Sequence, residues 1–214
     1  MRTSRRFLLV LVTALVTLFG VSAPTAVAVE LCSGAHDGDP RLGPEDLPGP
    51  AQRPVGPLLV TYLRTGGLSA EDFLDRYWDP AANSGAGSWI YPPQDGFRLD
   101  ASGHPVKQVE ELEAGDELDR FGGEGGTFLA PSGDLYPERA LPPQNLTTFD
   151  PAYPCNYHLY RVTRSFDVWE GPIAAWFAQP GGGTQIKLDR SLLPGDGYLN
   201  VAWLIDNGYL DRID

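Results

Sequence analysis

Glycine and proline interrupt this chain at 25 and 20 of its 214 positions, and that punctuation leaves room only for short regular elements. From Leu118 onward the runs between interruptions read as strands: LDRFG (118–122), GTFLA (126–130), NYHLYRVT (156–163), IAAWF (173–177) and TQIKLD (184–189). Each carries aromatic or β-branched residues, which suit a pleated, half-buried surface. Helical signals are few. Ser69 with Asp72 three residues on has N-cap spacing, Phe73, Leu74 and Tyr77 then share one helical face, and Asp79-Pro80 stops the pattern, which predicts a helix of about ten residues. Near the C-terminus Asn200 can cap a second short helix, with Leu204 and Ile205 on its buried side and Gly208 after it. Strands dominate, helices are short, and no βαβ alternation occurs. The expected class is α+β: a small, mainly antiparallel β-sheet domain with short peripheral helices, preceded by an N-terminal extension.

The first residues carry an export pattern. Arg2, Arg5 and Arg6 precede an apolar run, Phe7 to Phe19, broken only by Thr13 and Thr17, and Ala26-Val27-Ala28 supplies a small-x-small cleavage signal. The run is shorter than the roughly 20 residues of a membrane span. The expectation is a signal peptide at 1–28, then an extension at 29–112 with its short helix, then the sheet domain at 113–214. The mature protein is expected to be secreted, extracellular and free of the membrane. Residues 30–57, rich in Gly, Pro and Asp, read as an extended segment without regular structure. Loss of the three leader arginines leaves 13 basic against 28 acidic residues, a net charge of −15, which argues against nucleic acid and anionic membrane as partners. An exported chain with two cysteines, Cys32 and Cys155, favours a disulfide between them over two free thiols.

The common catalytic patterns are absent: no phosphate loop, no GxSxG, no HExxH, no CxxC pair. His36, His104 and His158 lack metal-ligand spacing, so no metal is expected, and GAHDGDP (34–40) reads as turn chemistry rather than a calcium loop. Asn145-Leu146-Thr147 has the pattern of a glycosylation acceptor. The segments that stand out are compact. LDRFGGEGGTFLAPSG (118–133) sets Arg120 among glycines and aromatics, with Phe128 on the next strand. ERALPP (138–143) holds Arg139 against a stiff proline pair. NYHLY puts Tyr157 and Leu159 on one strand face and His158 and Tyr160 on the other. WFAQPGGGTQ (176–185) ends in Gln185. Taken singly, Arg139 reads as a surface arginine, Phe128 as core and His158 as a structural histidine.

Together and in this order, these segments resemble the tuberculosis necrotizing toxin domain family of NAD glycohydrolases. The matching stretches are DRFG with Arg120, GTFLAP around Phe128, RALPP with Arg139, YHLY with His158, WFAQPGGGTQ with Gln179 and Gln185, and GYL at Gly208 to Leu210. Upstream, LGPEDLP, YLRTGGLSAEDFL and WIYPPQDGF are similar to the extension of secreted fungal and actinobacterial members. The resemblance implies hydrolysis of NAD⁺ to nicotinamide and ADP-ribose, with NAD⁺ as substrate and no cofactor. It leaves NADP⁺ as a second substrate, a homodimer and a neutralising immunity protein open. One position departs from the family pattern. Ala178 stands where a glycine is usual, and an alanine there is expected to need an ordinary φ.

The chemistry agrees with these residue types. Nicotinamide departs from its ribose as a neutral ring, so the acid partner of ordinary glycoside hydrolysis is not required. The roles expected from the resemblance are catalytic for Gln185, Arg139 and His158, and substrate-binding for Arg120, Phe128, Gly182, Gly183 and Gln179. Arg120 and Arg139 would clamp the pyrophosphate, Phe128 would stack on the cationic ring, Gln185 would meet the ribose hydroxyls, and the glycines would let main chain approach the substrate. Two other readings compete. An ADP-ribosyltransferase would need an acid near the ribose, and Glu170 is the only one close to the motif. A non-enzymatic binding module would use the glycine run merely as a turn.

Overall fold

The computed structural model describes residues 31–213, and the leader expected at 1–28 lies outside them. Helix α1 (Ala70–Tyr77) begins where Ser69 Oγ accepts the Asp72 amide at 3.0 Å. Glu71 and Asp72 in its first turn suit the positive end of the helix. It buries Phe73 and Tyr77, and its extended successor, β1 (Trp78–Asp79), pairs with β2 (Ser88–Trp89) around a tight left-handed turn, α2 (Ala82–Gly85). The remaining strands are β3 (Gln108–Leu112), β4 (Glu117–Phe121), β5 (Phe128–Pro131), β6 (Tyr157–Val162), β7 (Phe166–Pro172), β8 (Thr184–Lys187) and β9 (Leu210–Arg212). They form one seven-stranded sheet in the order β3-β7-β8-β5-β4-β6-β9, antiparallel at every junction. The sequence reading of a mainly antiparallel α+β fold holds.

Alternation along the strands sorts side chains onto two faces. Leu118, Leu129, Tyr160, Val168 and Ile186 enter one core, closed by α3 (Val201–Asp206) through Val201 and Leu204. Asn200 caps α3 by accepting the Trp203 amide at 2.8 Å. Burying side chains of this size contributes about 1.5–3 kcal/mol each. The opposite face carries Asp119, Phe121, Phe128 and Gln185, and the N-terminal extension folds over it. Phe121, Tyr136, Leu146 and Tyr157 pack there with Val55 and Leu58 from the extension. A third cluster joins Leu42, Phe73, Tyr77 and Trp89 of the extension to Phe177.

Two expectations change. The segment expected to be extended at 30–57 is not simply so over its described residues: from 31 onward the chain runs through 3₁₀ turns at His36–Gly38, Pro40–Leu42 and Gly56–Leu59. Within GAHDGDP, Asp39 accepts the Arg41 amide at 2.9 Å and pairs with its guanidinium, so the segment is turn chemistry. The boundary expected between 112 and 113 falls at the end of β3, an edge strand of the sheet. The apolar clusters shared by extension and sheet make the two parts pack as neighbours, because neither side of that contact could stay exposed to water.

Cys32 and Cys155 form a disulfide across 123 residues, buried in the second cluster. In the chain-entropy picture a loop of that size contributes up to about 4–5 kcal/mol. Cys32→Ser with Cys155→Ser is expected to lower the denaturant midpoint accordingly, and an unchanged midpoint would remove the disulfide from the list of stabilising elements. At the other edge, Arg212 Nε donates to Glu124 at 2.6 Å and Tyr160 OH donates to the same carboxylate. Burial alone would raise the Glu124 carboxyl, but the Arg212 hydrogen bond and charge hold it below its ordinary value. A depressed folded value means stability that is present above the unfolded carboxyl range and lost as pH falls through the folded one. Arg212→Gln is therefore expected to flatten the acid side of the stability–pH curve, measured by chemical denaturation between pH 6 and about pH 3.

Candidate active site

The cavity begins where two strands part. β4 and β5 pair only at Leu118↔Pro131 and Asp119↔Ala130. Beyond that they diverge, and the Arg120 guanidinium fills the gap, donating from Nε to the Gly123 carbonyl at 2.9 Å and from Nη1 to the Phe128 carbonyl at 2.7 Å. A Cβ at Gly126 would sit 2.0 Å from Arg120 Nη2 and one at Gly122 3.0 Å from it, so these two glycines make room for the arginine. Burial pulls its guanidinium below the ordinary value, yet so basic a group stays charged.

Above it lies a cavity of about 420 Å³, within the range of small-molecule sites. Its sheet side carries Asp119, Arg120, Phe121, Phe128, Arg139 and Gln185; its outer lip is Tyr91, Pro92, Asp95 and Gly96 from the extension. Gln185 Nε2 donates to the Asp95 carbonyl at 3.0 Å. Asn145 also lines the wall, and its Nδ2, the nitrogen that a glycan would need, donates to the Phe121 carbonyl at 3.0 Å. Burial raises the Tyr91 hydroxyl above its usual value, with the Arg120 charge opposing.

Arg139 is not a surface arginine. Its side chain is 4 % exposed, Nη1 contacts Asp119 Oδ1, Nη2 donates to Oδ2 at 2.9 Å, and Nε and Nη2 both reach the Asp134 carbonyl at 3.1 and 2.8 Å. The guanidinium fork expected to clamp the pyrophosphate is engaged here by a buried carboxylate. Asp119 also accepts the Tyr157 hydroxyl at 2.9 Å and the Gly133 amide at 3.2 Å. Burial pushes its carboxyl up, against the pull of Arg139 and these donors. The sequence reading missed Asp119, although a signal existed. In LDRFG the acid alternates with Leu118 and so falls on the inward face beside Phe121, where a carboxylate needs a buried partner.

Other expected site residues lie elsewhere. His158 is buried on β6, its ring 4.2 Å from that of Tyr153 and stacked with Tyr160, outside the cavity wall. Gln179 is turned inward as well, donating from Nε2 to the Leu63 carbonyl at 2.7 Å. Gly182 and Gly183 border a second, smaller hollow of about 320 Å³ together with Glu170, not the main cavity. The glycine run instead lets backbones meet. A Cβ on Gly183 would come within 3.0 Å of the Glu138 carbonyl oxygen and one on Gly181 within 2.6 Å of that of Ala174. The amides of Gly181 and Gly183 donate to Pro137 and Glu138, so the run docks against the segment that delivers Arg139. Ala178 does not keep an ordinary φ: Phe177 and Ala178 sit at +48° and +53°. The Ala178 amide donates to Tyr77 OH at 3.0 Å and Phe177 is buried, contacts that hold this costly pair in place.

The tuberculosis necrotizing toxin family model matches residues 111–213. A conidial surface nicotinamide adenine dinucleotide glycohydrolase of Aspergillus fumigatus is 50% identical over 177 residues, covering 83% of this chain and 70% of that protein. The chain belongs to the tuberculosis necrotizing toxin family. The solved structure of tuberculosis necrotizing toxin complexed with its immunity factor has the same fold, with a TM-score of 0.53, 20% identity, and coverage of 77% of this chain and 87% of that one. Arg120, Phe128, Arg139 and Gln185 all fall within the stretch that the family model matches, whereas the lip from Tyr91 to Gly96 lies upstream of it.

The Asp119–Arg139 pair generates a stability prediction. Arg139→Ala leaves a buried carboxylate uncompensated and is expected to cost about 3–5 kcal/mol by denaturant titration, while Arg139→Met combined with Asp119→Leu recovers most of it. Additive losses in the double variant would dissolve the pair as a unit.

Proposed function

We propose that the protein hydrolyses the nicotinamide–ribose bond of NAD⁺, releasing nicotinamide and ADP-ribose outside the cytoplasm. The observation that carries this reading is the gathering of Arg120, Phe128 and Gln185, from three separate segments, onto one ligand-sized cavity in a chain half identical to an NAD glycohydrolase. The export pattern of residues 1–28 and the surface location named for that relative support the placement.

The electron pair of the breaking bond returns to the nicotinamide ring, and water adds at the ribose carbon and loses its proton. Charge develops on the sugar, so the useful interactions are those that strengthen there. Gln185, with its nitrogen on Asp95, has its carbonyl oxygen left to accept from the ribose hydroxyls. The Phe128 face favours the cationic ring before it departs, and Arg120 supplies positive charge toward the phosphates. Arg139 acts one step back, by holding Asp119 and the wall in place. The acids at the cavity, Asp95 and Asp119, are each paired with a cation, and Glu170 borders the other hollow, which favours hydrolysis over transfer to a macromolecule. NADP⁺ belongs in the same assay as a second substrate, and a homodimer or an immunity protein would be read by sedimentation and by inhibition.

The disulfide-bonded protein is expected to release nicotinamide from NAD⁺, with Gln185→Ala lowering kcat by about 10²-fold at nearly unchanged melting temperature. No turnover by a folded sample would sink the proposal, and transfer of label from NAD⁺ to added protein would replace it with the transferase reading.

A further inference from the structure

Two side chains of β8 grip one residue of the lip. Gln185 and Lys187 are two apart on the strand and so point to the same face. Gln185 Nε2 donates to the Asp95 main-chain oxygen at 3.0 Å, and Lys187 Nζ pairs with the Asp95 carboxylate at 3.1 Å. The Lys187 side chain is only 18 % exposed, and its register partners on the two flanking strands are Phe128 and Trp169. The gripped residue sits in a conformation that needs holding: Gln94, Asp95 and Gly96 have φ of +52°, +57° and +83° in succession. Consecutive left-handed non-glycine residues cost of order 1 kcal/mol or more each and persist only where surrounding contacts determine them. The main chain anchors the far side of this turn, through the Ala174 amide on the Gly96 carbonyl at 2.9 Å and the Arg98 amide on the Pro172 carbonyl at 2.8 Å. Asp95 itself is fastened only by the two β8 side chains among the contacts of the described residues.

We infer that the Lys187–Asp95 ion pair is a positioning device for Gln185: it holds the strained lip turn so that the Asp95 carbonyl takes the Gln185 nitrogen and leaves the Gln185 oxygen for the substrate. The assignment rests on the proposed glycohydrolase reading for the role of that oxygen. The physical logic is that an amide has a donor end and an acceptor end. A fixed acceptor at Asp95 selects which end faces the cavity. Without the lysine the turn relaxes, the carbonyl moves away, and the Gln185 amide samples both orientations. Ground-state contacts at Phe128 and Arg120 are untouched, so the loss belongs in kcat. Neither Asp95 nor its turn lies within the stretch that the family model matches, which makes the extension part of the catalytic arrangement and not merely a cover.

Lys187→Met, which keeps the stem, is expected to lower kcat for NAD⁺ about tenfold, equivalent to about 1.4 kcal/mol of transition-state stabilisation. KM should stay within about twofold, and Lys187→Arg should restore kcat, because either cation can meet the carboxylate. Asp95→Asn should reproduce the loss, and the double variant should be no worse than either single one. In a Gln185→Ala background, Lys187→Met should have no further effect. An unchanged kcat, a loss confined to KM, or an effect that persists without Gln185 would each overturn the inference. Asp95→Asn decides in the same way should Lys187→Met fold poorly. Amide hydrogen exchange at residues 91–96 reads the latch without catalysis: it must rise in Lys187→Met, and unchanged exchange overturns the latch even if NAD⁺ proves not to be the substrate.

Discussion

The buried ion pair between Asp119 and Arg139 is the constraint on which the cavity rests. A carboxylate with no solvent exposure on an inward strand position must find a cation and hydrogen-bond donors, or remain protonated. It finds Arg139, the Tyr157 hydroxyl and the Gly133 amide. Those partners come from two separate parts of the chain, β6 and the 133–139 loop, so satisfying one charge ties both of them to β4. The Asp134 carbonyl completes the Arg139 fork, and the Asp134 carboxylate accepts the Thr184 amide at the start of β8. The strand that carries Gln185 is thus referenced to the same pair.

Around that centre, glycines decide how closely backbones approach. The 122–126 loop leaves space for Arg120 where β4 and β5 part, and the 181–183 run lies against the segment leading to Arg139. The extension then closes the opposite side. Its lip makes one wall of a site whose other wall is the sheet, and its disulfide and the two aromatic clusters fasten it to the sheet domain. A cavity lined from two distant parts of a chain is held to its shape only as well as those parts are held to each other, which explains why so much aromatic surface is placed at their contact.

Much of this was readable residue by residue. The N-caps at Ser69 and Asn200 appeared where the spacing put them, since capping depends on contacts within one turn. Arg120, Phe128 and Gln185, each singled out from a different segment, line one cavity. The errors share a cause. Glycine signals that something comes close, without saying what, and at 181–183 the neighbour is backbone instead of ligand. Gln179 and His158 are polar residues inside motifs, but their side chains turn into the protein, toward Leu63 and between two tyrosines. Asp119 passed unnoticed because a strand acid draws attention only once its face is known to be buried.

Local pattern was enough for the kind of fold. Gly and Pro spacing limits element length, alternation marks strands, and caps mark helices, all through forces acting within a few residues. The chemical class was also written in the chain, in the order of its motifs. The working arrangement was not. Whether Arg139 would hold a phosphate or a carboxylate, which hollow the glycines would border, and that Asp95 from the extension would sit on Gln185, ninety residues away in sequence, depend on strand register and on how the extension packs. Those are long-range contacts, selected by burial and charge satisfaction across the whole molecule, and no single segment contains the partners that decide them.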